Sequence, residues 1–220
     1  MMKRKVMIIA AVAGLAAVGA SLGPELWSGY RFLTAVERRA ADESAKVGPW
    51  PRLQATCAHC HGPEGRADNG LYPSLAGLSA RYLEKQLRAF ASGERNHAQM
   101  SPLAAGLTPE QITDLADYYE RQRAAERALT DRSPAPTRQG QKIVTDRACS
   151  ACHGEKLQGG VPGPRLAGQG QGYLEDQLMA YKKGTRRDPT GAMNTMVGTL
   201  SEQDIRLVAA YLAGLGTASR

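Results

Sequence analysis

The chain has 220 residues, a mass of 23.6 kDa, a net charge of +7 and a pI near 9.4, with 5% aromatic residues, 24 glycines, 12 prolines and 4 cysteines. That length suits one or two domains, and so few aromatic side chains among so many turn formers predict small cores that lean on a bound group. The basic surplus sits at Lys3, Arg4 and Lys5 and around Lys182, Lys183, Arg186 and Arg187, without interleaved stacking aromatics, which argues against a nucleic-acid-binding surface; the second cluster reads as a solvated helix end on the surface, with steering of an acidic partner as the alternative.

In chain order, the first 22 residues join a basic head to an uncharged apolar run from Val6 to Leu22. The run is long for a signal-peptide core and short for a spanning helix, and Val18-Gly19-Ala20 before Ser21 is an acceptable cleavage site, so the segment reads as a signal peptide or a membrane anchor. With the basic end held in the cytoplasm, both readings put the rest of the chain outside the cytoplasmic membrane, either soluble after cleavage or anchored by residues 6–22. Residues 23–48 read as an amphipathic connecting helix, with Leu26, Tyr30, Leu33, Val36 and Ala40 along one face.

Residues 49–128 and 139–220 carry one module written twice, separated by a polar linker with two prolines at 129–138. Pro73-Ser74-Leu75-Ala76-Gly77 answers Pro164-Arg165-Leu166-Ala167-Gly168, Tyr82-Leu83 with Gln86-Leu87 answers Tyr173-Leu174 with Gln177-Leu178, and Gly93 and Arg95 answer Gly184 and Arg186. The offset stays near about 92 residues, too long for a stacked array, so the chain holds a duplicated domain. Tyr82, Leu83, Gln86, Leu87 and Phe90 recur at helical steps and Gly93 stops them. Thr108 and Ser201 are good N-caps for a last helix in each copy. Nothing alternates as a strand does, and the expected fold is all-α, with short helices joined by long glycine- and proline-containing loops.

Every cysteine lies in one of two pentapeptides, Cys57-Ala-His-Cys60-His61 and Cys149-Ser-Ala-Cys152-His153. A Cys-x-x-Cys pair serves a redox disulfide, half of a zinc site or covalent haem attachment, and the histidine that follows at once separates them: two thiols reach two vinyl groups on one porphyrin edge while the adjacent imidazole binds iron from beneath. A thioredoxin-like pair expects a βαβ setting, a four-thiolate zinc site leaves both histidines unexplained, and a disulfide across two residues gains little loop entropy. Two covalently bound haem c groups are expected, on Cys57 and Cys60 and on Cys149 and Cys152, with His61 and His153 as axial ligands.

A sixth ligand is expected from Met100 and Met193, each in the loop after the glycine stop and each seven residues before Leu107 or Leu200. Met196 aligns with Leu103 and reads as core. His97 has no counterpart in the second copy and reads as a polar loop residue, and His59, between two cysteines, should face solvent. Soft sulfur raises the potential and a filled axial position denies small oxidants a site, so the chain reads as an electron carrier and not an enzyme, with a di-haem peroxidase disfavoured.

These motifs, together with the Pro-x-Leu-Ala-Gly loops, Tyr-Leu-x-x-Gln-Leu followed by Gly-x-Arg, and a terminal helix with Tyr118 or Tyr211, resemble the di-haem c-type cytochromes of the cytochrome c4 type: two tandem cytochrome c domains exported to the bacterial periplasm. The resemblance covers about residues 49–216 and implies the same four cysteines and four axial ligands. It also implies Pro73 and Pro164 loops beside the proximal histidines, where a carbonyl takes the ring N–H, and haems close together across the domain interface. It implies a respiratory relay from a quinol-oxidising complex to a terminal oxidase. The alternative is a cytochrome subunit that accepts electrons from a periplasmic dehydrogenase. The chain departs from the family in residues 25–46, which suggest an inner-membrane tether, and in Pro49 and Pro51, which leave only a stub of helix before Cys57.

Overall fold

The computed structural model describes residues 23–38, 53–124, 138–160 and 163–216. The expected signal or anchor, the second half of the connecting segment and the linker up to residue 137 lie outside them. Residues 23–38 form helix α1, within a unit spanning Met1–Arg52 that is distinct from Leu53–Arg220. Leu26, Trp27, Tyr30, Phe32, Leu33 and Val36 of α1 are exposed, and no described helix is long and apolar enough to cross a membrane.

The larger unit is helical, with no strand among its described residues. Its first module runs α2 (Leu53–His61), a 3-10 turn (Pro63–Gly65), α3 (Ala80–Ser92), α4 (Met100–Ala105) and α5 (Pro109–Arg121). The second runs α6 (Arg138–Asp146), α7 (Ser150–His153), α8 (Gln171–Lys182), α9 (Ala192–Gly198) and α10 (Glu202–Ala213). The halves differ at their start: α6 and α7 are separate, parted where Ala148 adopts φ 50°, whereas the first module has only α2, which touches α5 marginally.

Local chemistry sets these boundaries. Ser79 Oγ accepts from Tyr82 N at the start of α3, and Gly93 ends it in the left-handed region at φ 79°, a backbone angle that costs glycine little. Thr108 and Gln111 close a reciprocal capping box on α5, and Ser201 and Asp204 close the equivalent one on α10, each cap contributing about 1 kcal/mol. The amphipathic faces then bury against one another: α5 packs on α3, and α10 on α6 and α8. Gly140 permits the α6–α10 approach, since a Cβ there would lie 2.3 Å from the Leu207 carbonyl oxygen.

The cores are small. Leu78, Leu83, Leu115, Ala116 and Tyr119 form one, with Cys57 at its edge; Val144, Leu157, Leu174, Val208 and Leu212 anchor another, with Cys149 at its edge. Val197, Leu200 and Ile205 make a third, against which Met193 packs.

The modules meet along a seam of hydrogen bonds, most of them between a side chain of one module and the backbone of the other. Tyr173 N donates to Gly70 O at 2.9 Å, Ser74 N donates to Gln169 Oε1 at 2.9 Å, Gln169 Nε2 returns to Ser74 O at 2.8 Å, and Arg165 Nη2 donates to Ala76 O at 3.1 Å. Gly170 faces Gly70 so closely that a Cβ on it would sit 2.3 Å from Gly70 O, whereas Gly198 on α9 has no atom within 4 Å of the same position. Gly170→Ala therefore forces the seam apart and destabilises by about 1–3 kcal/mol, while Gly198→Ala is neutral or slightly stabilising. Thermal melts of the two variants check this: a lower Tm for the first and an unchanged or higher Tm for the second.

Candidate haem-binding sites

The first pentapeptide lies on the first described helix of its module, and the second follows α6. Cys57 and Cys60 stand one helical turn apart on α2, Cys149 caps α7 and Cys152 lies within it, and none of the four is joined in a disulfide. Burial pushes the Cys57 and Cys149 thiols upward, at Cys57 against a hydrogen bond from the Tyr119 hydroxyl. A dithiol tuned for disulfide exchange needs the opposite shift. Among the described residues no three His, Cys, Asp or Glu side chains converge, so the two pairs do not assemble a zinc cage.

The histidines are set as haem ligands require. His61 and His153 are buried, and their Nδ1 atoms lie 2.9 Å from Pro73 O and 2.8 Å from Pro164 O. A carbonyl only accepts, so Nδ1 carries the proton and Nε2 keeps its lone pair. Burial is the largest influence on both rings and lowers their pKa, which holds them neutral and competent to ligate. The glycine after each histidine is conformationally required: Gly62 and Gly154 adopt φ 74° and 83°, and a Cβ on Gly62 would fall 1.9 Å from Arg66 O. Two thiols and one neutral imidazole with Nε2 free form the donor set of a covalently attached haem, and the residues present fit it.

The loops that orient the imidazoles are duplicated bond for bond. Leu75 and Ala76 donate to Gly65 O and Gly77 to Tyr119 O, while Leu166 and Ala167 donate to Leu157 O and Gly168 to Leu212 O. Each proline carbonyl is thus clamped between the turn after the histidine and the terminal helix.

Met100 opens α4 and Met193 is the second residue of α9, both half-buried, and both on helices where the sequence suggested loop. Helices of six and seven residues are too short to show a helical period. Leu103 and Met196, three residues on, are 54% and 41% exposed, so Met196 is not core. His97 lies in a loop and His59 is exposed, as expected; His97 Nδ1 faces the backbone N–H of Met100 at 3.3 Å. The basic 182–187 cluster is not uniformly surface, because Arg186 is buried and Lys182 Nζ donates to Leu200 O at 2.7 Å.

Sequence reasoning missed how the methionine helices are tied down. Ser101 Oγ, next to Met100, donates to Arg95 O at 3.4 Å, and Asn194 Nδ2, next to Met193, donates to Arg186 O at 2.8 Å. The repeated Gly-x-Arg of both copies was the available signal. The periodicity places Tyr119 on the apolar face of the last helix but gives no sign of its contact with Cys57, since Leu212 replaces it in the other copy.

The family model for cytochrome c matches the chain twice, over residues 52–121 and 137–216. A thiosulfate dehydrogenase electron acceptor of Stutzerimonas stutzeri (strain A1501) is 36% identical over 199 residues, covering 84% of this chain and 91% of that protein. The cytochrome c4 structure of Acidithiobacillus ferrooxidans superposes with a TM-score of 0.67 at 34% identity, over 74% of this chain and all of that one. A thiosulfate dehydrogenase structure from Marichromatium purpuratum matches 79% of this chain and 39% of its own, with a TM-score of 0.66 and 33% identity. With a cytochrome c match in each half and relatives of the same two-module build, the chain belongs to the cytochrome c family, as an electron-transfer protein of the cytochrome c4 type carrying two covalently bound haem c groups.

Proposed function

We propose that the protein works in the periplasm as an outer-sphere electron carrier, with His61 and Met100 as the axial pair of the first haem and His153 and Met193 as that of the second. When bound, haem supplies an iron that cycles between ferrous and ferric states. Cys57, Cys60, Cys149 and Cys152 would attach the porphyrins, the proline carbonyls would orient the imidazoles, and the Met100 and Met193 thioethers would favour the ferrous state and exclude small oxidants. The paired placement of Met100 and Met193 at the start of equivalent helices carries this reading. The basic head and apolar run at residues 3–22 support export, with release by cleavage or retention at the inner membrane.

Two electron donors are in play. The likeness to a thiosulfate dehydrogenase electron acceptor, and to part of a thiosulfate dehydrogenase chain, favours a periplasmic dehydrogenase of that kind as donor. The likeness to cytochrome c4 keeps the respiratory reading, from a quinol-oxidising complex to a terminal oxidase. Stopped-flow mixing of the oxidised protein with each donor plus its own reductant separates them: rapid haem reduction is expected with the dehydrogenase and thiosulfate, and reduction only by the quinol-oxidising complex reverses the order.

Met193→Ala should remove the far-red thioether-to-iron charge-transfer band of one haem, leaving about half its intensity, and lower one midpoint potential. An intact band assigns ligation elsewhere, Met196 included. Cys149→Ser should cut covalent haem and lower the melting temperature of the second module while the first keeps its haem; full covalent haem in that variant contradicts the attachment.

A further inference from the structure

Helix α1 has a surface unlike that of the other described helices. Leu26, Trp27, Tyr30, Phe32, Leu33 and Val36 are each between 49% and 71% exposed, whereas the large apolar side chains exposed in the larger unit, Leu71, Leu103 and Met196, stand one to a segment. One of the chain's two tryptophans, one of its two phenylalanines and a tyrosine fall on this helix, and Trp27 stacks on Tyr30 at 5.8 Å.

At about 100° per residue the six side chains cover roughly 220° of the circumference, from Phe32 through Leu33 and Leu26 to Trp27. Ser28, Arg31, Ala35 and Arg38 occupy the remainder, and Glu25 and Glu37 interrupt the arc only at its two ends. Two arginines and two glutamates leave the helix with no net charge. Its aliphatic hydroxyls are satisfied internally. Thr34, inside the arc between Tyr30 and Trp27, donates to Arg31 O at 3.0 Å, and Ser28 donates to Glu25 O at 2.8 Å, so neither needs water.

A partner helix, a second copy of α1 included, covers a stripe of about 100° and would leave Phe32 or Trp27 in water. An arc of this breadth is covered in one step by a continuous apolar phase. The chain brings α1 to such a phase, because Leu22, the last residue of the apolar run, immediately precedes Gly23, where the helix begins. An apolar run of about 17 residues is at the lower limit for crossing a bilayer, and its end falls at headgroup level, where tryptophan and tyrosine rings concentrate. Helix α1 is itself not long and apolar enough to cross.

We propose that α1 lies flat in the surface of a phospholipid bilayer, with Leu26, Tyr30 and Leu33 turned to the acyl chains and Arg31 and Arg38 to the phosphates. It holds the electron-transfer modules at the membrane whether or not the apolar run before it is kept. Which membrane face this is, the outer face of the inner membrane, rests on the export reading; the affinity of the helix for lipid does not.

The test is co-sedimentation of the haem-loaded chain beginning at Ser21, which keeps every described residue, with vesicles of phosphatidylcholine alone and of phosphatidylethanolamine with phosphatidylglycerol. Haem colour in the pellet reports binding. Binding to both is expected, changing less than about twofold between roughly 0.1 and 0.5 M salt because the helix has no net charge. Tyr30→Gln combined with Leu33→Gln keeps helix propensity and should weaken partition at least about tenfold at unchanged haem content. Arg31→Gln, on the polar face, should stay within about twofold of the parent chain on phosphatidylcholine. The proposal is overturned by an empty pellet on either lipid, by binding confined to phosphatidylglycerol vesicles and lost in salt, or by equal binding of the double variant. A concentration-dependent dimer in vesicle-free solution that the double variant abolishes also overturns it and assigns the face to a second copy. Export is read separately by cell fractionation: a chain found in the cytoplasm refutes export and leaves the vesicle result standing.

Discussion

The hydrogen bond from a histidine Nδ1–H to a proline carbonyl is the contact on which the rest of each module depends. It selects the tautomer, leaves Nε2 free to bind iron, and at 2.9 Å for His61 and 2.8 Å for His153 it is made alike in both copies. The same loop that supplies the carbonyl is pinned to the terminal helix through Gly77 and Gly168 and crosses to the other module through Ser74 and Arg165. Axial geometry, core packing and domain association are therefore one mechanical system.

That system explains why so little apolar material suffices. Three small clusters of buried side chains flank Cys57, Cys149 and Met193 without filling a conventional core, and haem supplies the missing apolar mass. Four capped or glycine-stopped helix ends and a seam of amide and guanidinium hydrogen bonds contribute the remainder, each about 1 kcal/mol net.

Much of this was legible in the sequence because it rests on local chemistry. Cys-x-x-Cys-His names its cofactor by spacing, Gly93, Thr108 and Ser201 mark helix ends by backbone preference, and the duplication exposes equivalent residues without a structure. What stayed hidden is non-local or short. Helices α4 and α9 have too few turns to show a period, so Met100 and Met193 looked like loop residues and Met196 looked buried. Arg186 sat in a run of basic residues that suggested surface, and only the seam reveals that Gln86, Gln177 and Tyr82 enclose it. The pairing of Tyr119 with Cys57 had no counterpart to draw attention to it.

The most direct test of the account is proton NMR of the fully reduced, haem-loaded protein, in which both irons are diamagnetic. Two imidazole Nδ1–H signals, slow to exchange with solvent and each showing contacts to its own proline loop, are the result predicted. A single such signal, or two that exchange freely, would contradict it.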